Sequence, residues 1–275
     1  MVINYFLLYA HERAIDEMNV ILHTLKSRNA ILYNFGWICF VSFFVCTLLS
    51  LTTTVQVLGI NAFIKPMKFF LSTGIFCWTM GWFTHLLDRK RAVVVYSWMV
   101  VIAMMYELPV VTYQAALGKL SHFNISSLVD AILFQTMGIV IFIFTMWTAY
   151  IGYLFFSQKR FDAPMAYVWG IRLGIVLFVI FAFEGFLMGG RLSHTVGAPD
   201  GGAGLPVTNW SVRHGDLRVA HFLGMHALQL LPLFSYYVAR KPSQVIIAAA
   251  LYWVIVSTVL VQALMGKPLL FGFGG

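Results

Sequence analysis

The sequence predicts an all-α integral membrane protein, a seven-transmembrane-helix bundle preceded by an amphipathic helix on the membrane surface. Three observations predict it. Hydrophobic residues make up 60% of the chain and charged residues only 10%, against about 25% charged in soluble domains. Mean hydropathy is +0.84. Seven apolar runs come close to or exceed the roughly 20 residues that cross a hydrocarbon core as helix. The formal charge of +8 is spread over segment ends, so it orients the chain in a bilayer and excludes a nucleic-acid partner.

The chain reads as a single transmembrane domain over 1–275. In its first 28 residues, Ile3, Phe6, Leu7, Ala10, Ala14, Met18, Ile21, Leu22 and Leu25 recur at helical spacing. That spacing suits a helix lying in the interface. No small-residue cleavage site follows it, so it is not read as a signal peptide. The spans then fall at about 30–52, 66–87, 92–117, 128–152, 166–189, 217–238 and 244–264. Basic residues cluster at Lys26-Ser27-Arg28, Asp88-Arg89-Lys90-Arg91, Ser157-Gln158-Lys159-Arg160 and Ala239-Arg240-Lys241. All four share one face if the spans alternate, which makes that face cytoplasmic. The amino terminus is then expected inside and the carboxyl terminus outside. Cys39, Cys46 and Cys77 lie within apolar runs without Cys-x-x-Cys spacing and read as small buried hydrophobes.

The unusual residues gather on the outer side. Gly118-Lys119-Leu120-Ser121-His122 and Gly190-Arg191-Leu192-Ser193-His194 each close an apolar run, and the runs carry Glu107 and Glu184. An ionisable group inside a span is costly in lipid and turns towards the bundle interior. A third stretch, from Gly215-Asp216-Leu217-Arg218 through His221 and His226 to Gln229, opens the sixth span. Depth along the helices puts Glu107, Glu184, His122, His194, His221 and His226 in the outer half of the membrane. His221 and His226 are five residues apart and do not share a helix face. The plain alternative for each glutamate is a local hydrogen bond, and for each outer histidine a solvated cap. The matching motifs suggest that the third and fourth spans are duplicated as the fifth and sixth. The long outer segment 190–215 is turn-rich and reads as a lid over the site or as a flexible tether.

Two functional classes follow. In the first, Glu107 and Glu184 serve catalysis while His221, His226, His194 and His122 hold a transition metal, zinc or non-haem iron. Gln229, Asp216 and Arg218 would orient those ligands. A variant places a b-type haem between two histidines. In the second class, a transporter or proton-coupled channel, the same glutamates and histidines carry protons or bind solute. Lys65, Lys68 and Arg191 form a basic outer rim suited to lipid head groups or a small anionic substrate. The absence of any inverted repeat or broken helix pair in the sequence tilts the reading towards the first class.

Lys65-Pro66-Met67-Lys68-Phe69, Ser121-His122-Phe123-Asn124 and the stretch from Gly215 to Gln229 resemble an uncharacterised family of bacterial multi-pass inner-membrane proteins. The likeness runs from about Asn61 to Pro232. It implies a bacterial inner-membrane location and a shared fold, and brings no activity with it. Leu117 stands where that family places an arginine.

Overall fold

Eight helices and two short hairpins make up residues 2–269, which are described by a computed structural model. In chain order they are α1 (Val2–Arg28), α2 (Ala30–Thr52), the hairpin β1 (Gln56–Val57) and β2 (Ile60–Asn61), α3 (Ile64–Thr84), α4 (Lys90–Ala116), α5 (Leu128–Ser157), α6 (Met165–Arg191), β3 (Thr195–Val196), β4 (Gly215–Asp216), α7 (Leu217–Tyr237) and α8 (Pro242–Leu264). Six of these helices, α2 and α4 to α8, are long and apolar enough to cross a membrane, so the chain is a multi-pass membrane protein. The remaining expected span does form a 21-residue helix, α3. Lys65, Lys68, Ser72, Thr73, Thr79 and Thr84 dilute its apolar content, and it is not among the six. Val2–Arg28 is helical. The amphipathic face expected there lies largely outside the described residues, because side chains 1–12, 14 and 15 are not described.

The helices group into two units of three. Every pair within α2, α3 and α4 is in contact, as is every pair within α6, α7 and α8, and α5 joins the units by touching α4 and α6. Both units run in the same order: a long helix, an outer hairpin, a 21-residue helix, a tight turn and a last helix. The hairpins match in detail. Gln56 pairs with Asn61 in one and Thr195 with Asp216 in the other. Asn61 Oδ1 accepts a hydrogen bond from the Phe63 amide at 2.9 Å, and Asp216 Oδ1 accepts one from the Arg218 amide at 3.1 Å. The correspondence in element order therefore joins α2–α4 to α6–α8, with α5 between. It does not follow the Gly-x-Leu-Ser-His motifs. In the first motif Gly118 lies beyond the helix, with φ +66°; in the second Gly190 is still helical and Leu192 takes the left-handed conformation that ends α6.

Packing places α4, α6 and α7 innermost and α2, α5 and α8 at the perimeter. Perimeter side chains such as Phe44, Leu51 and Ile247 are exposed, as lipid contact requires. In the second unit α6 and α7 meet backbone to backbone. A Cβ at Gly174 would sit 3.0 Å from the Ala227 carbonyl oxygen and 3.2 Å from Leu228 Cα, and Gly170, one turn away, faces Leu231 and Pro232 as closely. This is the small-xxx-small contact by which membrane helices gain dispersion energy. In the first unit aromatic rings fill the same role. The Phe40 ring lies against Gly74 and the Trp78 indole against Gly36. Buried Asn29 ties the inner end together: it caps α2 through Leu32 N at 3.0 Å and donates to Ser97 Oγ of α4 at 2.8 Å. Mid-bundle, Phe76, Phe144 and Phe178 from α3, α5 and α6 pack ring against ring, with centroids 5.1–6.5 Å apart.

Candidate functional site at the outer end of the seam

Glu184 is buried in α6, one turn beyond Phe181. Gly185, next to it, leaves room for the His221 ring of α7, whose Cε1 would be 3.0 Å from an added Cβ. His221 Nδ1 lies 3.2 Å from Glu184 Oε2, but the Phe181 carbonyl oxygen is closer, at 2.7 Å. A carbonyl can only accept, so the Nδ1 proton goes there, and neither Glu184 oxygen has a hydrogen-bond partner. A buried carboxylate without donors is expensive.

The 117–127 loop brings His122 to the same end. Asp130, in the first turn of α5, anchors the loop by accepting from Ser127 Oγ at 2.7 Å, Gln114 Nε2 at 2.8 Å and Lys119 Nζ at 3.1 Å. Phe123 adopts a left-handed φ of +62°, which turns the chain back over α3. His122 Nδ1 then lies 3.3 Å from Lys65 Nζ and 3.1 Å from Ser121 Oγ, and its ring stands edge-on to Phe69. When Lys65 is protonated it can only donate, so His122 Nδ1 then accepts and the ring proton sits on Nε2. Burial, then the neighbouring charges of Lys65 and His221, hold His122 well below the ordinary histidine pKa, so it is neutral at pH 7.

The segment between α6 and α7 folds back towards α3. His194 Nδ1 lies 3.2 Å from Asp200 Oδ1, and Asp200 also accepts from Ser193 Oγ at 2.8 Å and from the Thr195 amide at 2.9 Å. Burial pushes His194 down to about 4, helped by Arg218 and opposed by Asp200 and Asp216. The His194–Asp200 contact is thus a close approach of a neutral ring, whose Nδ1 has Thr195 Oγ1 as its hydrogen-bond partner at 3.2 Å. Asp216 takes Arg218 on both oxygens, at 2.9 Å from Nε and 2.6 Å from a terminal nitrogen, and accepts the Ser211 amide at 2.8 Å. Arg218 reaches on to the Asn209 carbonyl. Lys68 Nζ donates to the carbonyls of Val207 at 3.0 Å and Thr208 at 3.2 Å. The first unit's lysine thereby holds down the second unit's lid.

The other expected residues fall elsewhere. His226 donates from Nδ1 to Gln229 Oε1 at 3.2 Å, Gln229 donates to Thr79 Oγ1 of α3 at 3.3 Å, and Phe222 packs on the His226 ring. That is a helix-to-helix link beside the cluster. Glu107 is buried in α4, two residues before Pro109, and its Oε1 has no partner. No hydrogen bond or ion pair joins it to the cluster among the described residues. Arg191 ends α6 and is exposed. Among the described residues no three His, Cys, Asp or Glu side chains are grouped to hold a metal ion. A small cavity beside Asp216, lined by Val219, Val259 and Gln262, measures about 10 Å³, room for roughly one water.

Sequence reasoning missed Asp200 and the carbonyls of residues 207–209. Asp200 was visible as the one acidic residue in a Gly-rich turn six residues after His194. The carbonyls carry no sequence signal. No protein-family model matches the chain, and neither a curated protein nor a solved structure matches it.

Proposed function

We propose that the protein is a proton-coupled transporter that takes a small polar solute from the outer side of the membrane. One observation carries this reading: at the outer end of the seam, the two three-helix units present complementary halves of one polar cluster. Lys65 and Lys68 come from the first unit, and Glu184, His221 and the lid from the second. Parallel repeats related about the membrane normal are a common transporter plan, with the solute bound where the repeats meet. In this reading α3 counts as a seventh span and α1 lies on the inner surface. In this reading the basic turns face the cytoplasm of a bacterial cell, which puts the amino terminus inside and the carboxyl terminus outside. The Phe76–Phe144–Phe178 stack closes the path below the cluster, and Glu184 with His221 takes up the proton when solute enters. Pro109 in α4 and Pro232 in α7 interrupt the helix ladder where the units would rock.

A metalloenzyme, or a b-type cytochrome with two histidine ligands, ranks second. His221 supports it, because an imidazole fixed through Nδ1–H to a carbonyl offers Nε2 to a metal. The reading lacks three donors meeting at one point, which is why transport comes first. Elemental analysis and an optical spectrum of the purified protein test the ranking: stoichiometric zinc or iron, or a Soret band, would reverse it.

The transport reading is tested in proteoliposomes loaded with a pH-sensitive dye and given a panel of amino acids, carboxylates and phosphates. Wild-type protein should acidify the lumen with at least one solute, and Glu184→Gln should abolish proton movement. Solute uptake that leaves lumen pH unchanged would sink the coupling.

A further inference from the structure

Lys65 and Lys68 are half-buried cations on one face of α3, and among the described residues neither lies within 4.0 Å of a carboxylate. Their partners are neutral: an imidazole nitrogen for Lys65 and two peptide carbonyls for Lys68. Removing an ammonium from water without an opposite charge is costly. The carbonyls that meet Lys68 are themselves held at a cost. Val207 and Asn209 have φ of +62° and +55°, a conformation that is a true outlier for a β-branched residue. Through this strained turn the chain aims three consecutive carbonyls, of Val207, Thr208 and Asn209, at Lys68 and Arg218. Arg218 is already bridged by Asp216, whereas neither lysine has such an ion pair among the described residues.

We infer that Lys65 and Lys68 form a binding site for an oxyanion, a carboxylate or phosphate group, whose oxygens replace the lid carbonyls of Val207 and Thr208. The lid turn is a neutral stand-in for the ligand. Its backbone strain is released when the anion arrives, so binding lifts residues 207–209 and uncovers the cluster. His122, with its proton on Nε2, adds a neutral donor from the third side. The inference names the ligand class of the site used in the transport reading. It is tested separately, because binding requires no flux.

The test uses the full chain purified in detergent, titrated with sodium phosphate and sodium succinate against sodium chloride at equal ionic strength. Thermal unfolding and calorimetry are read, together with tryptophan emission. Trp210 stands 5.4 Å from the Phe222 ring and reports lid movement, and Trp210→Phe identifies its share of the signal. Phosphate or succinate should raise Tm and shift emission where chloride does not. The Lys65→Ala/Lys68→Ala double variant should lose both effects, while Lys65→Arg/Lys68→Arg, which keeps the charge and controls for folding, should retain them. Val207→Gly removes the strain of the closed turn and should weaken anion affinity roughly fivefold. Nanodiscs of phosphatidylglycerol and of phosphatidylcholine separate the sources. An effect of free phosphate or succinate identifies a soluble ligand; an effect confined to phosphatidylglycerol identifies a lipid head group. Equal behaviour in all anions and both lipids, or undiminished binding by the double alanine variant, would overturn the inference.

Discussion

In the amino-terminal unit, α2 and α3 are spaced by side chains, with Phe40 lying on Gly74 and Trp78 on Gly36. In the carboxyl-terminal unit, α6 and α7 touch through their backbones at Gly170 and Gly174. The outer loops differ in the same sense. Asn61, a neutral residue, closes the short hairpin of the first unit, whereas Asp216 closes the second and is tied to Arg218, with His194 and Asp200 alongside. One plan thus serves two ends: the first unit supplies cations on an adjustable aromatic interface, and the second supplies titratable groups and a lid on a rigid one. Duplicated architecture fixes where side chains can go, and the residues placed there decide what each copy contributes.

Three substitutions or conditions can break that contrast. The largest effect is expected at Gly174→Ala, where the new methyl meets backbone that cannot swing aside. The cost should be about 3 kcal/mol in chemical or thermal unfolding; a value under about 1 kcal/mol would show that α6 and α7 separate easily. Next is acid. His194 has a folded-state pKa of about 4 against an ordinary 6.5, so the unfolded chain binds a proton that the native loop refuses. Stability is therefore intact above pH 6.5 and falls between 6.5 and 4, by about 3 kcal/mol. His194→Gln should flatten that part of the Tm–pH curve, whereas Asn61→Ala should leave its shape unchanged. The smallest effect is expected at Gly74→Ala, where the Phe40 ring can rotate away, at about 1 kcal/mol. Equal costs at Gly74 and Gly174 would erase the distinction between the two interfaces.

Much of this fold is legible in the sequence. The expected run 30–52 coincides with α2, and the other helices begin or end within a few residues of the expected spans, because apolar runs and flanking charges are local signals. The exception in extent is α5, which continues to Ser157, since Tyr153 to Ser157 remain compatible with a helix nearing the interface. Glu184 lies beside His221 and Lys65 beside His122; depth along the helices put Glu184, His221 and His122 at one end and said nothing of Lys65. What sequence could not supply is rotation about each helix axis, which sends His226 and Gln229 to Thr79 and separates Glu107 from the cluster. The pairing of units was also hidden. The similar motifs at Gly118 and Gly190 point to one pairing of segments, while the likeness in element order rests on hairpins of two residues per strand, too short to announce themselves.

Lys68 has its lid partners 139 and 140 residues further along the chain. At roughly 5–20 residues per second, a ribosome needs about 7–30 s to make that stretch. Throughout this interval the first unit can already be assembled around Asn29, yet its lysines face water with nothing above them. Lys68 therefore meets its carbonyl partners only after the segment around Val207 has been made, well after the helix that carries it.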